Sequence, residues 1–287
     1  MTAVLVGELL VASAAELADA GVDEPRRDAQ LLLAHALERD RGWLQAFPET
    51  IVEPEAHQCF TTLLECRKRR LPMAQVLCHR EFWSLDLKVT GETLTPRPDS
   101  ETLVETALSL FREREAPRHI LDLGTGTGCL LLALLSEWPS AKGVGVDRSA
   151  GTLAVARENA RACDLESRVS LVEGDWLAGL TGSFDLVVSN PPYIPSGEIA
   201  GLEPEVSDHE PRQALDGGAD GLSCYRIILS DVAMVLAPGG LVVLEHGERQ
   251  APALGALAAE HGFDVLEPAR DLAGRLRCAV LRFVTGW

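Results

Sequence analysis

The amino-acid sequence predicts an α/β protein: a sheet of parallel strands with helices on both faces, preceded by a small helical domain and joined to it by a β-hairpin. Three observations carry this. Apolar residues recur at helical spacing through roughly the first 75 residues. Between Glu81 and Val89 they alternate with polar residues, as a hairpin requires. From there on, short apolar runs alternate with amphipathic stretches, the pattern of strand and helix in a parallel sheet.

The opening stretch MTAVLVGELLVASAAELADAG has the apolarity of an export signal but no positive residue, and it carries Glu8 and Glu16. Leu5, Leu9, Leu10 and Leu17 fall near helical spacing and predict an amphipathic first helix. In GVDEPRRDAQLLLAHALERD, Pro25 suits a first helical turn. Leu31, Leu32, His35 and Leu37 are expected to form a core-facing stripe with His35 packed inside it. Arg67, Lys68, Arg69 and Arg70 close a third helical segment, read as a solvated end that complements the helix dipole, the alternative being contact with an acidic partner.

EFWSLDLKV supplies the hairpin. In TPRPDSETLVETALSL two prolines fix a loop, and Ser100 is placed to cap a helix starting near Glu101. Beyond it, HILDL, GVGVD, VSLVEGD, FDLVVSN, GLVVLEHG and RCAVLRFV read as strands. CLLLALLSEW, TLAVARENARAC, CYRIILSDVAMVL and APALGALAAEHG read as helices. The expected domains are residues 1–78 (helical), 79–93 (hairpin hinge) and 94–287 (sheet).

At 287 residues and 46% hydrophobic composition the chain is long enough for one large α/β domain and a smaller one. A net charge of -17 argues against duplex DNA, whose binding needs a basic face to displace counterions. No apolar run approaches the ~20 residues of a membrane span. The seven cysteines include no C-x-x-C pair, so buried reduced thiols are expected rather than a zinc site or disulfides.

In LDLGTGTGCL, glycines at 124, 126 and 128 stand between a strand and a helix, so the backbone can turn tightly and admit a ligand at the helix N-terminus. The spacing departs from the G-x-G-x-x-G of dinucleotide binders and is similar to the first motif of S-adenosylmethionine-dependent methyltransferases. Asp122 and the turn Gly124, Thr125, Gly126, Thr127 and Gly128 are therefore assigned to that cofactor. Asp147, ending the next strand, is placed to accept the ribose hydroxyls, with a helix N-cap as the alternative. Asp175 and Trp176 are placed to meet an adenine ring, against a core role for the tryptophan.

In SNPPYIP the prolines cannot donate to a ladder, so the strand must end at Asn190, at the carboxyl edge where such sheets bind ligands. Asn190 is expected to border the cofactor as well as the substrate. The Asn190 oxygen and a proline carbonyl from Pro191 or Pro192 can each accept an N–H of a planar NH2 group, and Tyr193 can cover it. No metal is required.

These segments, with PMAQVLCHREFWSLDLKVTGETLTPRPDSETLVE, HEPRQALDGGADGLSCYRII and VVLEHG, resemble the release factor glutamine methyltransferases, the HemK or PrmC family, over nearly the whole chain. The resemblance implies a Rossmann-like, seven-stranded methyltransferase domain behind an N-terminal substrate-recognition domain. It implies transfer of a methyl group from S-adenosylmethionine to the side-chain amide nitrogen of the glutamine in the Gly-Gly-Gln loop of peptide chain release factors. A cytoplasmic monomer with no stable nucleic acid or membrane partner is expected. Two positions depart from the family pattern: Cys78 replaces a usual glycine, and Thr95 a usual aliphatic residue. Residues 1–91 carry a net charge of -4 and the rest -13, which favours a basic protein partner. The rival readings are a glutamine methyltransferase acting on a ribosomal protein, an adenine-N6 nucleic-acid methyltransferase, and a non-enzymatic S-adenosylmethionine-binding module.

Overall fold

A computed structural model describes residues 4–266, 269–270 and 274–284. The chain forms α1 (Val6–Asp19), α2 (Pro25–Leu37), α3 (Arg41–Ala46), α4 (Pro54–Lys68), α5 (Met73–Leu77), β1 (His79–Phe82), β2 (Leu85–Lys88), α6 (Glu101–Leu110), β3 (His119–Leu123), α7 (Cys129–Glu137) and β4 (Lys142–Asp147). It continues through α8 (Ala150–Ala162), β5 (Val169–Glu173), β6 (Phe184–Ser189), α9 (Pro204–Ser207), α10 (Ser223–Asp231), β7 (Leu236–Glu245), α11 (Ala251–Glu260), β8 (Phe263–Val265), β9 (Ala269–Arg270) and β10 (Leu276–Phe283). Two compact units result: Met1–Cys78 with Glu203–His209, and His79–Leu202 with Glu210–Trp287. No helix among the described residues is long and apolar enough to cross a membrane.

In the first unit Val6, Leu17, Leu32, Leu33, Leu44 and Phe60 make the core. The helix α2 buries Asp28, Ala29, Leu32, Leu33 and Ala34, so its inner face is turned away from the expected stripe and His35 is exposed. The cause is Asp28, whose carboxylate accepts a hydrogen bond from Arg67 Nε at 2.7 Å and must face inward to do so. The basic cluster likewise differs from expectation. It closes the fourth helix, because the six-residue α3 carries too little periodicity to be read. Arg69 is exposed, as a solvated helix end requires, but Arg67 is buried and also donates to Leu71 O (3.1 Å) and Glu205 Oε1 (2.8 Å). Arg70 brackets the same glutamate from Nε (2.6 Å) and Nη2 (2.5 Å). Lys68 pairs with Glu16 and Glu65. The fold thus ties α9, far along the chain, to the end of α4.

The second unit begins with the hairpin β1–β2, which pairs Phe82 with Leu85. Trp83 and Ser84 form its turn, with φ of 52° and 60°, the mirror-type geometry that matches strand twist. Trp83 is therefore a turn residue rather than part of the alternation. Cys78, just before it, has φ of 62°. That left-handed conformation costs an L-residue strain that a glycine avoids, so the cysteine that departs from the family pattern carries a backbone cost here.

The main sheet runs β5-β4-β3-β6-β7-β10-β8, with β9 beside β10. Strands β5, β4, β3, β6 and β7 are parallel, as the strand–helix alternation predicts, and β10 is antiparallel to β7, β8 and β9. Strand β8 and the two-residue β9 were too short to be read from periodicity. Both faces are covered, one core containing Leu103, Leu131 and Leu134, the other Tyr225, Ile228 and Leu254. This explains why β3 and β6 are apolar without alternation. Ser100 lies in a 3-10 turn and makes no capping hydrogen bond to α6, contrary to expectation. Two of the cysteines, Cys224 and Cys278, are buried; Cys59 and Cys78 are exposed, and all seven are free thiols.

Replacing Arg67 with alanine leaves Asp28 buried and uncompensated. Denaturant unfolding should show a loss of about 3–5 kcal/mol, whereas Arg27→Ala, which breaks the exposed pair with Glu24, should cost under about 1 kcal/mol. Burial alone would raise the Glu205 carboxyl, but hydrogen bonds from Arg70 and Arg67 outweigh it and hold it down at about 2. Its folded-state value is thus depressed, so its contribution to stability is present above the ordinary glutamate value of about 4.3 and is lost as pH falls toward 2. Glu205→Gln should flatten that part of the acid unfolding curve; an unchanged curve would count against the anchor.

Candidate active site

Parallel pairing sets Leu123 beside Val146 and Ser189, and Ser189 beside Leu244, so the carboxyl ends of β3, β4, β6 and β7 open side by side. At this edge the second unit holds a cavity of about 310 Å³. Between β3 and α7 the glycines at 124, 126 and 128 have φ of 71°, 57° and 83°, values that only glycine takes freely. The N–H groups of Gly124 and Thr125 both donate to Val146 O at 2.9 Å, and that of Gly126 to Asp147 Oδ2 at 3.1 Å.

Of the residues assigned to the cofactor, Gly124, Gly126, Asp147, Asp175, Trp176 and Asn190 stand on the cavity wall. Asp122, Thr125, Thr127 and Gly128 do not line it and instead build the turn from below. Thr125 Oγ1 donates to Asp122 Oδ2 at 2.7 Å. Burial pushes the Asp122 carboxyl up to about 7, against the Thr125 hydrogen bond and with the nearby charge of Asp147 adding to the rise. Asp147 accepts from Gly126 N through Oδ2 and from Ser149 N through Oδ1. The helix cap at this strand end is Ser149, which accepts from Thr152 N at 3.2 Å, so Asp147 is fixed without capping α8. Trp176 has φ of 52°, unusual for a bulky residue, and its ring lies over Gly124: a Cβ there would sit 3.7 Å from Trp176 Cζ3.

Asn190 and Pro192 reach the cavity, while Pro191 is buried and Tyr193 packs toward the core. Asn190 Nδ2 donates to Ser100 Oγ at 3.1 Å, so the amide's own nitrogen is occupied and its oxygen remains to accept. Burial first, and the nearby Glu245 charge second, raise the Tyr193 phenol, which stays neutral.

Reading from individual residues assigned no role to the stretch from Glu210 to Gly221, although its segment carried the family resemblance. It props the asparagine corner. Ile194 N donates to Leu215 O (3.0 Å), and Gly217 N donates to Ile194 O (2.9 Å). A Cβ on Gly217 would come within 2.8 Å of Tyr193 Cα, so only glycine fits there. Glu210, with no exposed side-chain surface, pairs with Arg97 at 2.6 Å and joins TPRPDSE to this loop. Gln250 Nε2 donates to Tyr193 O at 2.9 Å. These contacts are long-range, and nothing in local periodicity signals them. Among the described residues no cluster of His, Cys, Asp and Glu is arranged to hold a metal.

The wall suits S-adenosylmethionine: the glycine turn gives close backbone approach, Trp176 offers a flat apolar face, and Glu92, Asp147, Asp175 and Asp216 outnumber Arg148 around a space that must take a cation. Arg148 is itself turned onto Gln213 Oε1, at 3.1 and 2.9 Å.

A sheet of this order, with one antiparallel strand next to the last parallel one, defines the class of S-adenosylmethionine-dependent methyltransferases. The solved methyltransferase of Pyrococcus furiosus has the same fold, with a TM-score of 0.51 and 20% identity over 69% of this chain and 87% of that one. Residues 8–77 match the PrmC N-terminal domain and residues 100–201 the methyltransferase small domain. The release factor glutamine methyltransferase of Rhodospirillum rubrum is 46% identical over 98% of this chain and 86% of its own. That of Caulobacter vibrioides is 46% identical over 90% and 89%. The chain belongs to the release factor glutamine methyltransferase family.

The support beneath the turn can be probed from the neighbouring strand. A Cβ on Gly145 would lie 2.9 Å from both Thr125 Oγ1 and Leu171 Cδ2, so Gly145→Ala should pull Thr125 from Asp122 and cost about 1–3 kcal/mol. Calorimetry should show weaker S-adenosylmethionine binding in the folded variant; equal affinity and stability would mean that the turn does not depend on this contact.

Proposed function

We propose that this protein transfers a methyl group from S-adenosylmethionine to the side-chain amide nitrogen of the glutamine in the Gly-Gly-Gln loop of a peptide chain release factor. Support comes from the names of its relatives and from one observation above all: the Asn190 carboxamide stands on the cavity wall with its nitrogen held by Ser100, leaving its oxygen to accept. A primary amide is a poor nucleophile because its lone pair is delocalised into the carbonyl. Asn190 Oδ1 accepts one N–H of the target, and the carbonyl of Pro191 or Pro192 accepts the other, which orients the nitrogen and favours its pyramidal form. Pro192 gives the corner its fixed extended geometry, and Tyr193 backs it from the core side. When bound, S-adenosylmethionine would supply an electrophilic methyl on a sulfonium: the sulfur–methyl bond breaks as the carbon–nitrogen bond forms, the thioether S-adenosylhomocysteine leaves, and one amide proton passes to water.

Gly124 and Gly126 give the cofactor its backbone approach in this reading, Asp147 holds the ribose hydroxyls, and Asp175 and Trp176 meet the adenine. Asp122, Thr125, Thr127 and Gly128 act by shaping the turn. Residues 1–78 serve substrate recognition, residues 79–93 join the parts, and residues 94–287 carry the methyl transfer. The acidic surface favours a basic protein over nucleic acid. The protein acts as a cytoplasmic monomer.

Labelled S-adenosylmethionine offered with release factor, with release factor whose Gly-Gly-Gln glutamine is replaced by alanine, with ribosomal protein and with DNA tests the assignment. Label should enter only the unaltered release factor; label in the altered factor, ribosomal protein or DNA would overturn it. Asp147→Ala should weaken cofactor binding by about 1–3 kcal/mol through lost charge-assisted hydrogen bonds; undiminished affinity by calorimetry would remove Asp147 from the site.

A further inference from the structure

Helix α8 buries one polar side chain that takes no part in the mechanism above. Asn159 is 1% exposed. Its carboxamide bonds to the backbone of two segments far apart in the sequence. Oδ1 accepts from Lys88 N at 2.7 Å, while Nδ2 donates to Lys88 O at 3.1 Å and to Thr127 O at 2.9 Å. The two bonds to Lys88 are what a neighbouring strand would offer the end of β2. The third reaches the glycine turn. Burying a carboxamide is unfavourable unless its polar atoms are met, and here three backbone groups meet them. They also fix its orientation: turned over, the amide would set its oxygen against two carbonyls and its nitrogen against an N–H.

The bond to Thr127 O acts on a single peptide plane. Gly128 O takes the first helical bond of α7, from Leu132 N at 2.8 Å, which leaves the Thr127 carbonyl outside the helix ladder. In a trans peptide the carbonyl and the following N–H point opposite ways. Holding Thr127 O toward Asn159 therefore aims Gly128 N away from it, where it donates to Thr125 O at 2.8 Å and closes the turn. Without that hold the plane is free to swing, because Gly126 and Gly128, on either side of Thr127, have no side chain to resist rotation. Gly126 is on the cavity wall, with its N–H on Asp147. At the other end of the clamp, Lys88 pairs across the hairpin with His79, the first residue of the second unit. A second tie runs alongside: Thr152 Oγ1, also on α8, donates to Glu92 O at 2.8 Å, and Glu92 lines the cavity.

We propose that Asn159 is a positioning residue for the cofactor: its carboxamide clamps the Thr127–Gly128 peptide of the glycine turn to the hinge strand β2, so that cofactor occupancy and the hinge are coupled. This rests on the turn receiving S-adenosylmethionine, as argued above. A ligand that needs the turn closed tightens the clamp, and by linkage the clamp strengthens the ligand by the same factor.

The test uses the full chain as wild type, Asn159→Leu, Asn159→Asp and, as a control, Glu158→Ala, which breaks the adjoining exposed pair with Lys88 Nζ and leaves the carboxamide in place. Asn159→Leu keeps the volume and removes all three bonds. Asn159→Asp keeps an acceptor for Lys88 N but turns a carboxylate oxygen toward two carbonyls. Calorimetry should show S-adenosylmethionine binding weakened about tenfold or more in both, and unchanged in Glu158→Ala. KM for the cofactor should rise with it, while kcat at saturating cofactor stays near that of wild type. Amide hydrogen exchange reads the clamp itself. In wild type, S-adenosylmethionine should slow exchange at Gly128 N and Lys88 N together. In Asn159→Asp, Lys88 N should stay protected without responding to the cofactor, and in both Asn159 variants Gly128 N should exchange faster even in its absence. Wild-type affinity in both Asn159 variants, a wild-type Lys88 amide indifferent to the cofactor, or unchanged Gly128 exchange would overturn the proposal, whatever the loss of stability. Should either variant not fold, the other and the wild-type exchange decide by the same criteria. Failure of wild type to bind S-adenosylmethionine would instead refute the cofactor site, and Gly128 exchange without cofactor would still decide the clamp.

Discussion

The site depends on where one strand is made to stop. β6 is hydrogen-bonded on both sides, to β3 and to β7, up to Ser189. Pro191 and Pro192 then remove the donors that would continue the ladder. Asn190 is thus the first residue free of the sheet and the last held by it, which gives its carboxamide a position set by the most rigid part of the protein. The corner that follows is kept from relaxing by the parallel bridge between Ile194 and Asp216 and by Gln250 on Tyr193 O. A site placed on a strand end in this way is more exact than one carried on a loop.

Electrostatics divides the same edge into two layers. Below it, Asp122 near the end of β3 and Glu245 at the end of β7, on either side of β6, are both buried and both raised to about 7 by desolvation. Above it, Asp147 and Asp175 face the cavity. The upper carboxylates suit a cationic ligand; of the lower two, Asp122 accepts from Thr125 and so fixes the turn that touches the ligand. One end of the sheet therefore uses the same chemical group for contact and for support, separated by depth.

Much of this was legible in the sequence because the informative residues are local. Three glycines in five positions, a carboxylate at a strand end and a double proline after an apolar run each force a backbone shape within a few residues. The resemblance through TPRPDSE and EPRQALDGGADGL identified the family without revealing that Arg97 and Glu210 join the two segments. What failed were features set across the fold. The inward face of α2 is decided by a partner 39 residues away, Arg67. Ser100 looked like a cap by its neighbours, yet its hydroxyl receives Asn190 from 90 residues away. Glu245 drew no attention as an acidic residue at a strand end, since its burial appears only once β6, β7 and β10 are side by side.

The central claim is that the Asn190 oxygen takes part in the reaction and not merely in the shape of the corner. The most direct measurement is single-turnover methylation of release factor by Asn190→Ala with cofactor at saturation, its affinity determined separately. The account predicts a loss of about 2.7–4 kcal/mol of transition-state stabilisation, a rate reduced ~100–1000-fold, with an intermediate rate for Asn190→Asp. A rate near that of wild type in cofactor-saturated Asn190→Ala would contradict it.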